Sequence, residues 1–529
     1  MKQRLYIDVN AAFGRSSFRE AEIPYTQEQL VADMHYYRIH AALLSPLSAL
    51  SYSYISGNRE LHELTKSAPR LFSIPVVAAY APFESGEGVA YYERLFREGA
   101  KGFCVAPTAF NEPFTPFYYG EMMHFLASHN LPVVVRTSQA KIEDVAAMAA
   151  AFPNVRFLLL GTNWGENRKL YRAMVTLQNL YMDIGCNQAN ELVRLCKEQG
   201  FINRVLFGSD YPNRVPGALK TLVEYADITE EEKDMVAHGN ACRLFSLELA
   251  QIERYPEAEC ELDEIALTME EGRPLAITVL DAHTHMVSDG DATVTSNMMK
   301  YGECDEIIAR MNKMGIDAIC CAPWQGISTD GLAANDVIVR GMQKYPERIL
   351  GYACCNPNYP EDLEGVFLYH HQYHFPGVKP YWPLHQRSLC DTRYVPWFTY
   401  ANDHHLAMLV HSDSLAAIAD IKILVKQYPD IAFILAHTGS SYDVARAHVE
   451  ICKSCQNAWL EITYTTLYYG MIEYLVREVG AQRVLYGSDL PMRDPGPQMG
   501  WVAYARIPTA DKVKIFGENF SDILKRVQF

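Results

Sequence analysis

Two segments of this chain each occur twice at nearly one spacing, and that repetition constrains the fold more than any local pattern does. RLYIDVNAAFG at 4–14 returns as AITVLDAHTHM at 276–286, and RVLFGSDYP at 204–212 returns as RVLYGSDLP at 483–491. Asp8 and Asp281 stand 273 residues apart, Asp210 and Asp489 279 apart. Between these landmarks VRFLLLGTN at 155–163 lines up with IAFILAHTG at 431–439, and NLYMDIG at 179–185 with NAWLEIT at 457–463. GNACRLF at 239–245 answers to GENFSDIL at 517–524. Landmarks so far apart keep one offset when a whole unit has been duplicated. The acidic, core-poor stretch 255–272 reads as the linker, which leaves domains at 1–254 and 273–529.

Each half is about 260 residues, the size of one (β/α)8 barrel. The second half carries eight short apolar runs: AITVLDA, IDAICCA, RILGYACC, PGVKPY, LAMLVH, IAFILA, AWLEIT and RVLYGSD. Stretches with helical periodicity, such as SLAAIADIKILVKQY, fall between several of them. The first half supplies eight counterparts, from RLYID to RVLFGSD. Strands alternating with helices make parallel βα units, and a count of eight in both halves favours a barrel over an open sheet. The expected fold is therefore α/β, two tandem TIM-like barrels.

Composition narrows the function. The 49% hydrophobic and 21% charged content belongs to a globular protein. A formal net charge of −16 without a long basic run repels a nucleic-acid backbone. No stretch approaches the roughly 20 apolar residues of a membrane span, and MKQRLYIDVNAAFGR meets Asp8 before a signal-peptide core can form. The expectation is a cytoplasmic protein that acts on a small molecule. Its 13 cysteines are odd in number and lie in apolar runs, which reads as reduced thiols. Cys452 and Cys455 form a single C-x-x-C within a helical run and read as packing residues.

In such barrels active sites lie at the carboxyl ends of the strands. Strand one of the second half ends in Asp281-Ala282-His283-Thr284-His285, and residues two apart on a strand face the same way. An H-x-H alone is weak. Strand five, however, ends at His411, strand six at His437 and strand eight at Asp489. Four strands thus deliver His or Asp to one mouth, as a metal site requires. The first half is an internal control: its equivalents are Asn10, Ala12, Arg136 and Gly161, with only Asp210 retained. The framework survived while the histidines disappeared, so they are not needed to build the barrel. An aspartate without imidazoles holds a borderline metal poorly, and the first half is expected to be metal-free.

D-x-H-x-H, H, H-x-G and G-S-D-x-P on strands one, five, six and eight resemble the amidohydrolase superfamily. The nearest likeness is its branch of aminocarboxymuconate-semialdehyde decarboxylase, resorcylate decarboxylases and lactonases. The resemblance covers the second half with motifs intact and the first half in framework only. It implies that His283, His285, His411 and Asp489 bind one divalent ion, zinc first, with manganese, cobalt or iron also suited. Asp489 and His437 would then be the acid/base pair. It also implies a hydrolase acting with metal-activated water on a lactone, amide or ester. The rivals are a non-oxidative decarboxylase of an unsaturated or aromatic carboxylate, and a non-catalytic binding or scaffold protein.

Lys379 ends strand four, where some relatives carry a carbamylated lysine bridging two metals; a contact to a substrate carboxylate or a structural contact are the alternatives. Tyr381, Trp382 and Trp324 are candidate pocket walls. His370, His371 and His374, with His404 and His405, lie before strands four and five and read as helix-end surface. Relatives in this branch pair as dimers in which an arginine reaches the neighbouring site. The two halves are therefore expected to form an intramolecular pseudo-dimer, with Arg168 or Arg172 as the donated group.

Overall fold

The computed structural model describes residues 4–288, 290, 298–354, 356–465 and 467–529. The apolar runs of the first half become β1 (Ile7–Phe13), β2 (Ala41–Pro46), β3 (Leu71–Ser73), β4 (Phe103–Val105), β5 (Val133–Arg136), β6 (Phe157–Leu160), β7 (Leu180–Asp183) and β8 (Val205–Leu206). Those of the second become β9 (Leu280–Met286), β10 (Ala318–Pro323), β11 (Ile349–Ala353), β12 (Gly377–Val378), β13 (Ala407–His411), β14 (Ala432–Ala436), β15 (Ala458–Glu461) and β16 (Val484–Leu485).

Within each unit the strands pair in parallel with their sequence neighbours. In the first, β1–β3 and β4–β8 are joined by a bridge from Val76 to Cys104, and Ala11 pairs with Tyr211 to close the ring. In the second, β9 to β16 form one continuous sheet closed by the Thr284–Leu490 bridge. The closure is backbone work: Ala282 N–H donates to the Tyr486 carbonyl at 3.1 Å and Asp489 N–H to the His283 carbonyl at 2.7 Å. Both halves are therefore the barrels expected from the repeat.

Local sequence explains the crossovers. Ser414 caps the helix Leu415–Gln427 and Ser441 the helix Tyr442–Ser454, each hydroxyl accepting from a first-turn amide. The core of the second barrel includes the small side chains of Ala282, Cys320, Ala322, Ala407, Ala432 and Ala436, clustered with Tyr352. No helix among the described residues is long and apolar enough to cross a membrane.

The stretch 255–272 is not a free linker. The units divide as Met1–Leu262 and Asp263–Phe529. Tyr255 lies under Arg70 in the first unit, and its hydroxyl donates to the Ile39 carbonyl at 3.2 Å. Glu264–Glu270 is a helix of the second unit, capped by Asp263 and tied down by the Tyr504 hydroxyl on Glu270 at 2.6 Å. Its acidic composition hides Ile265, Ala266 and Met269, which are buried.

Candidate metal centre

The β9–β10 register shifts between Asp281 and Thr284, and the β1–β2 register shifts at the matching place between Asp8 and Ala11. Such bulges re-aim side chains at barrel rims, so the simple two-residue alternation behind H-x-H is incomplete. Asp281 holds the bulge by accepting from the amides of His283 at 3.1 Å and Ser488 at 3.0 Å. Asp8 does the same for Asn10 and Ser209. The result brings one atom each from His283, His285 and Asp489 within 4.8 Å of one another, all buried.

The tautomers follow from the partners. His285 Nδ1 faces only the Ala322 carbonyl, at 3.1 Å, so it carries the proton and leaves a lone pair on Nε2. That Nε2 lies 3.1 Å from Asp489 Oδ1. Two acceptors at this distance need a proton or a positive charge beside them. Burial, with Lys379 beside it, pushes the His285 imidazole down to about 4, so its own protonation does not supply that charge at neutral pH. His283 Nδ1 donates to Glu461 Oε2 at 3.0 Å, and its Nε2 also points inward. In this structure the Lys379 ammonium supplies the positive charge, donating to Nε2 of His283 at 2.8 Å and of His285 at 3.2 Å. Burial lowers the Lys379 amine to about 8.

Burial would raise Asp489, but Arg493 and the two imidazoles hold it well below the usual carboxylate range. Its backbone is left-handed, with φ of 62°, as is Asp210 at 59°. The glycine of G-S-D has a reason in both units: a Cβ on Gly487 would strike the Glu461 carboxylate, and one on Gly208 would lie 2.8 Å from Asp183 Oδ2.

His411 and His437 form a second pair beside the first. His437 Nδ1 donates to the Thr463 carbonyl at 2.8 Å, so its Nε2 presents a lone pair to His411 Nδ1 at 3.1 Å. His411 Nε2 faces Asp413 at 3.1 Å. His411 is thus turned away from the His283–His285–Asp489 group, while the His437 ring stands 5.0 Å from that of His283. The half-buried Trp324 ring packs at 5.2 Å from His285 and Tyr381 at 5.2 Å from His411. The Trp382 indole donates to the His411 carbonyl at 2.7 Å. Arg168 belongs to the first unit, exposed on the helix Asn167–Thr176.

A family model for amidohydrolases matches this chain twice, over residues 56–247 and 281–521. The chain belongs to the amidohydrolase family. A comparison of the chain with curated proteins finds no match. Among solved structures it is similar to 2,6-dihydroxybenzoate decarboxylase from Rhizobium, at 16% identity over 47% of this chain and 99% of that one, TM-score 0.39. A 5-carboxyvanillate decarboxylase from Novosphingobium aromaticivorans, complexed with manganese and 4-hydroxy-3-methoxy-5-nitrobenzoic acid, matches at 14% identity over 48% and 98%, TM-score 0.39. A putative amidohydrolase from Staphylococcus aureus matches at 15% over 47% and 100%, TM-score 0.37.

The same mouth in the first barrel is occupied by an arginine. Arg136, where the second barrel has His411, donates to Asp210 Oδ1 at 2.8 Å and to Asn10 Oδ1 at 2.5 Å. Asp183 accepts from Asn10 at 2.8 Å and from the Gly161 amide at 2.9 Å. Sequence reasoning missed Glu461, Asp413 and Arg493. The signal for two of them was retention: both copies keep an acid at the end of strand seven and an arginine four residues after the G-S-D aspartate.

Proposed function

We propose that the second barrel binds one divalent cation on His283, His285 and Asp489, and that the His411 ring, which here bonds His437 and Asp413, turns inward to complete the set. It would hydrolyse a lactone, amide or ester bond of a small molecule. The observation that carries this reading is the buried convergence of His283, His285 and Asp489, one atom of each within 4.8 Å of the others, with His285 Nε2 at 3.1 Å from Asp489 Oδ1. Imidazole and carboxylate suit zinc first, and manganese, cobalt or iron as well. When bound, such an ion polarises a carbonyl and makes water acidic enough to attack at neutral pH.

The chain's own residues supply the rest. Glu461 and the Ala322 carbonyl orient the two imidazoles from behind, which holds the lone pairs in place. With those lone pairs committed to an ion, the Lys379 ammonium would be free for an anionic group of the substrate. His437, with Nδ1 committed to a carbonyl, is a proton acceptor at Nε2 and returns that proton to the leaving group. Trp324 and Tyr381 flank the mouth as apolar walls. Arg136 supplies the equivalent charge in the first barrel, which we read as working without a metal.

Decarboxylation of a carboxylate substrate is the second reading, favoured by the two cations, Lys379 and Arg493, beside the same site. The test is elemental analysis with turnover on a panel of lactones, amides, esters and aromatic acids. One metal equivalent and all hydrolysis should be lost together in His283→Ala and in Asp489→Asn. Release of carbon dioxide without hydrolysis would move the assignment to decarboxylation, and full turnover in either variant would remove the site altogether.

A further inference from the structure

The histidines read from sequence as surface are not all on it. His370 is 1% exposed, in the last turn of the helix Asp362–Tyr373, with His371 next to it. His404 caps the helix Val395–Asp403, immediately before β13 begins. This places the group at the amino-terminal end of the strands, opposite the mouth where β13 delivers His411. One nitrogen from each of His370, His371 and His404 lies within 4.8 Å of the others. The ring centroids are 5.3 Å apart for His370 and His371, 4.9 Å for His370 and His404, and 5.4 Å for His371 and His404.

The hydrogen bond of His404 leaves a lone pair toward that centre. His404 Nδ1 donates to the Gln528 carbonyl at 3.2 Å, which puts its lone pair on Nε2. His370 Nδ1 meets the Tyr400 hydroxyl at 2.7 Å, and its Nε2 is buried without a hydrogen-bond partner. An orphaned buried nitrogen of this kind calls for an explanation such as an ion. No carboxylate pairs with any of the three rings among the described residues, so nothing in the cluster compensates protonated imidazoles.

We propose that His370, His371 and His404 form a second divalent-metal site, of the zinc class, at the foot of the second barrel. Neutral imidazoles suit zinc, copper, cobalt and nickel. Nitrogens around a tetrahedral zinc stand about 3.4 Å apart, from bonds of about 2.0–2.1 Å, and the exposed His371 has the freedom to close the group to that spacing. Water completes the set. Because His404 also holds the Gln528 carbonyl, the ion fastens the C-terminal segment to the two helices. The site is independent of the one at the mouth.

Zinc alone, titrated calorimetrically into the chelator-stripped full-length chain, tests this. Two equivalents are expected for the unmodified chain. His371→Ala with His404→Ala should lose one and keep turnover, whereas His283→Ala with His285→Ala should lose the other and keep this one. The single exposed substitution His371→Gln leaves the buried ring in place and should weaken this equivalent by at least about tenfold. A second equivalent that survives the His371/His404 pair, an unmodified chain that binds only the equivalent removed by His283→Ala, or unchanged affinity in His371→Gln would each overturn the proposal.

Discussion

Asp210 and Asp489 share one left-handed backbone position after the eighth strand, yet one faces an arginine and the other two imidazoles. The difference is made by single residues on neighbouring strands, since the anchors beneath, Asp8 and Asp281, bind the same two amides in both barrels. Glu461 is the residue whose role is easiest to isolate. It is fully buried, raised to about 7 by that burial, and grips His283 Nδ1. Glu461→Gln keeps the shape but weakens the anchor, and zinc affinity at the mouth is expected to fall about 10- to 100-fold with the fold intact. Titration of the stripped variant measures it, and wild-type affinity would show that Glu461 does not position the ligand.

At the scale of elements, the loops after β13 and β14 carry His411 and His437, and the helix Tyr442–Ser454 braces both. His448 on that helix lies 3.0 Å from the Ser412 carbonyl and 3.0 Å from the Thr438 hydroxyl. Burial pushes its imidazole down to about 4, against about 6.5 in an unfolded chain. Between these values the unfolded state binds the proton and the folded state does not, so this contribution is fully present above about 6.5 and is lost as pH falls toward 4. Denaturant unfolding of the second barrel should therefore show it less stable at pH 5 than at pH 7.5, with His448 accounting for roughly 2 kcal/mol. His448→Gln should flatten the slope by that amount, and an undiminished slope would place the proton elsewhere. The helix was legible from its periodicity. The brace was not, because it joins residues from three separate segments of the chain.

At the scale of the whole molecule, two barrels of one ancestry divide charge in two ways. In the first, Arg136 reaches an aspartate and an asparagine, whereas in the second Lys379 reaches two imidazoles. Arg136→Ala leaves Asp210 and Asn10 without their donor, with Arg214 still 3.4 Å from Asp210. The first barrel should lose about 1–3 kcal/mol, read as faster hydrogen exchange in β5 and β8, while turnover stays unchanged. A fall in turnover with no change in exchange would give the first barrel a part in the chemistry.

Sequence alone determined the duplication, the eight strands of each unit and the set of strands that carry histidine, because repeats and periodicity are written along the chain. Which nitrogen of each ring bears a proton, that Lys379 reaches between two imidazoles, and that His370 is buried were decided only by the tertiary structure. Those properties depend on atoms brought together from distant segments, and on a strand bulge whose re-aiming of side chains leaves no mark in the pattern of polar and apolar residues.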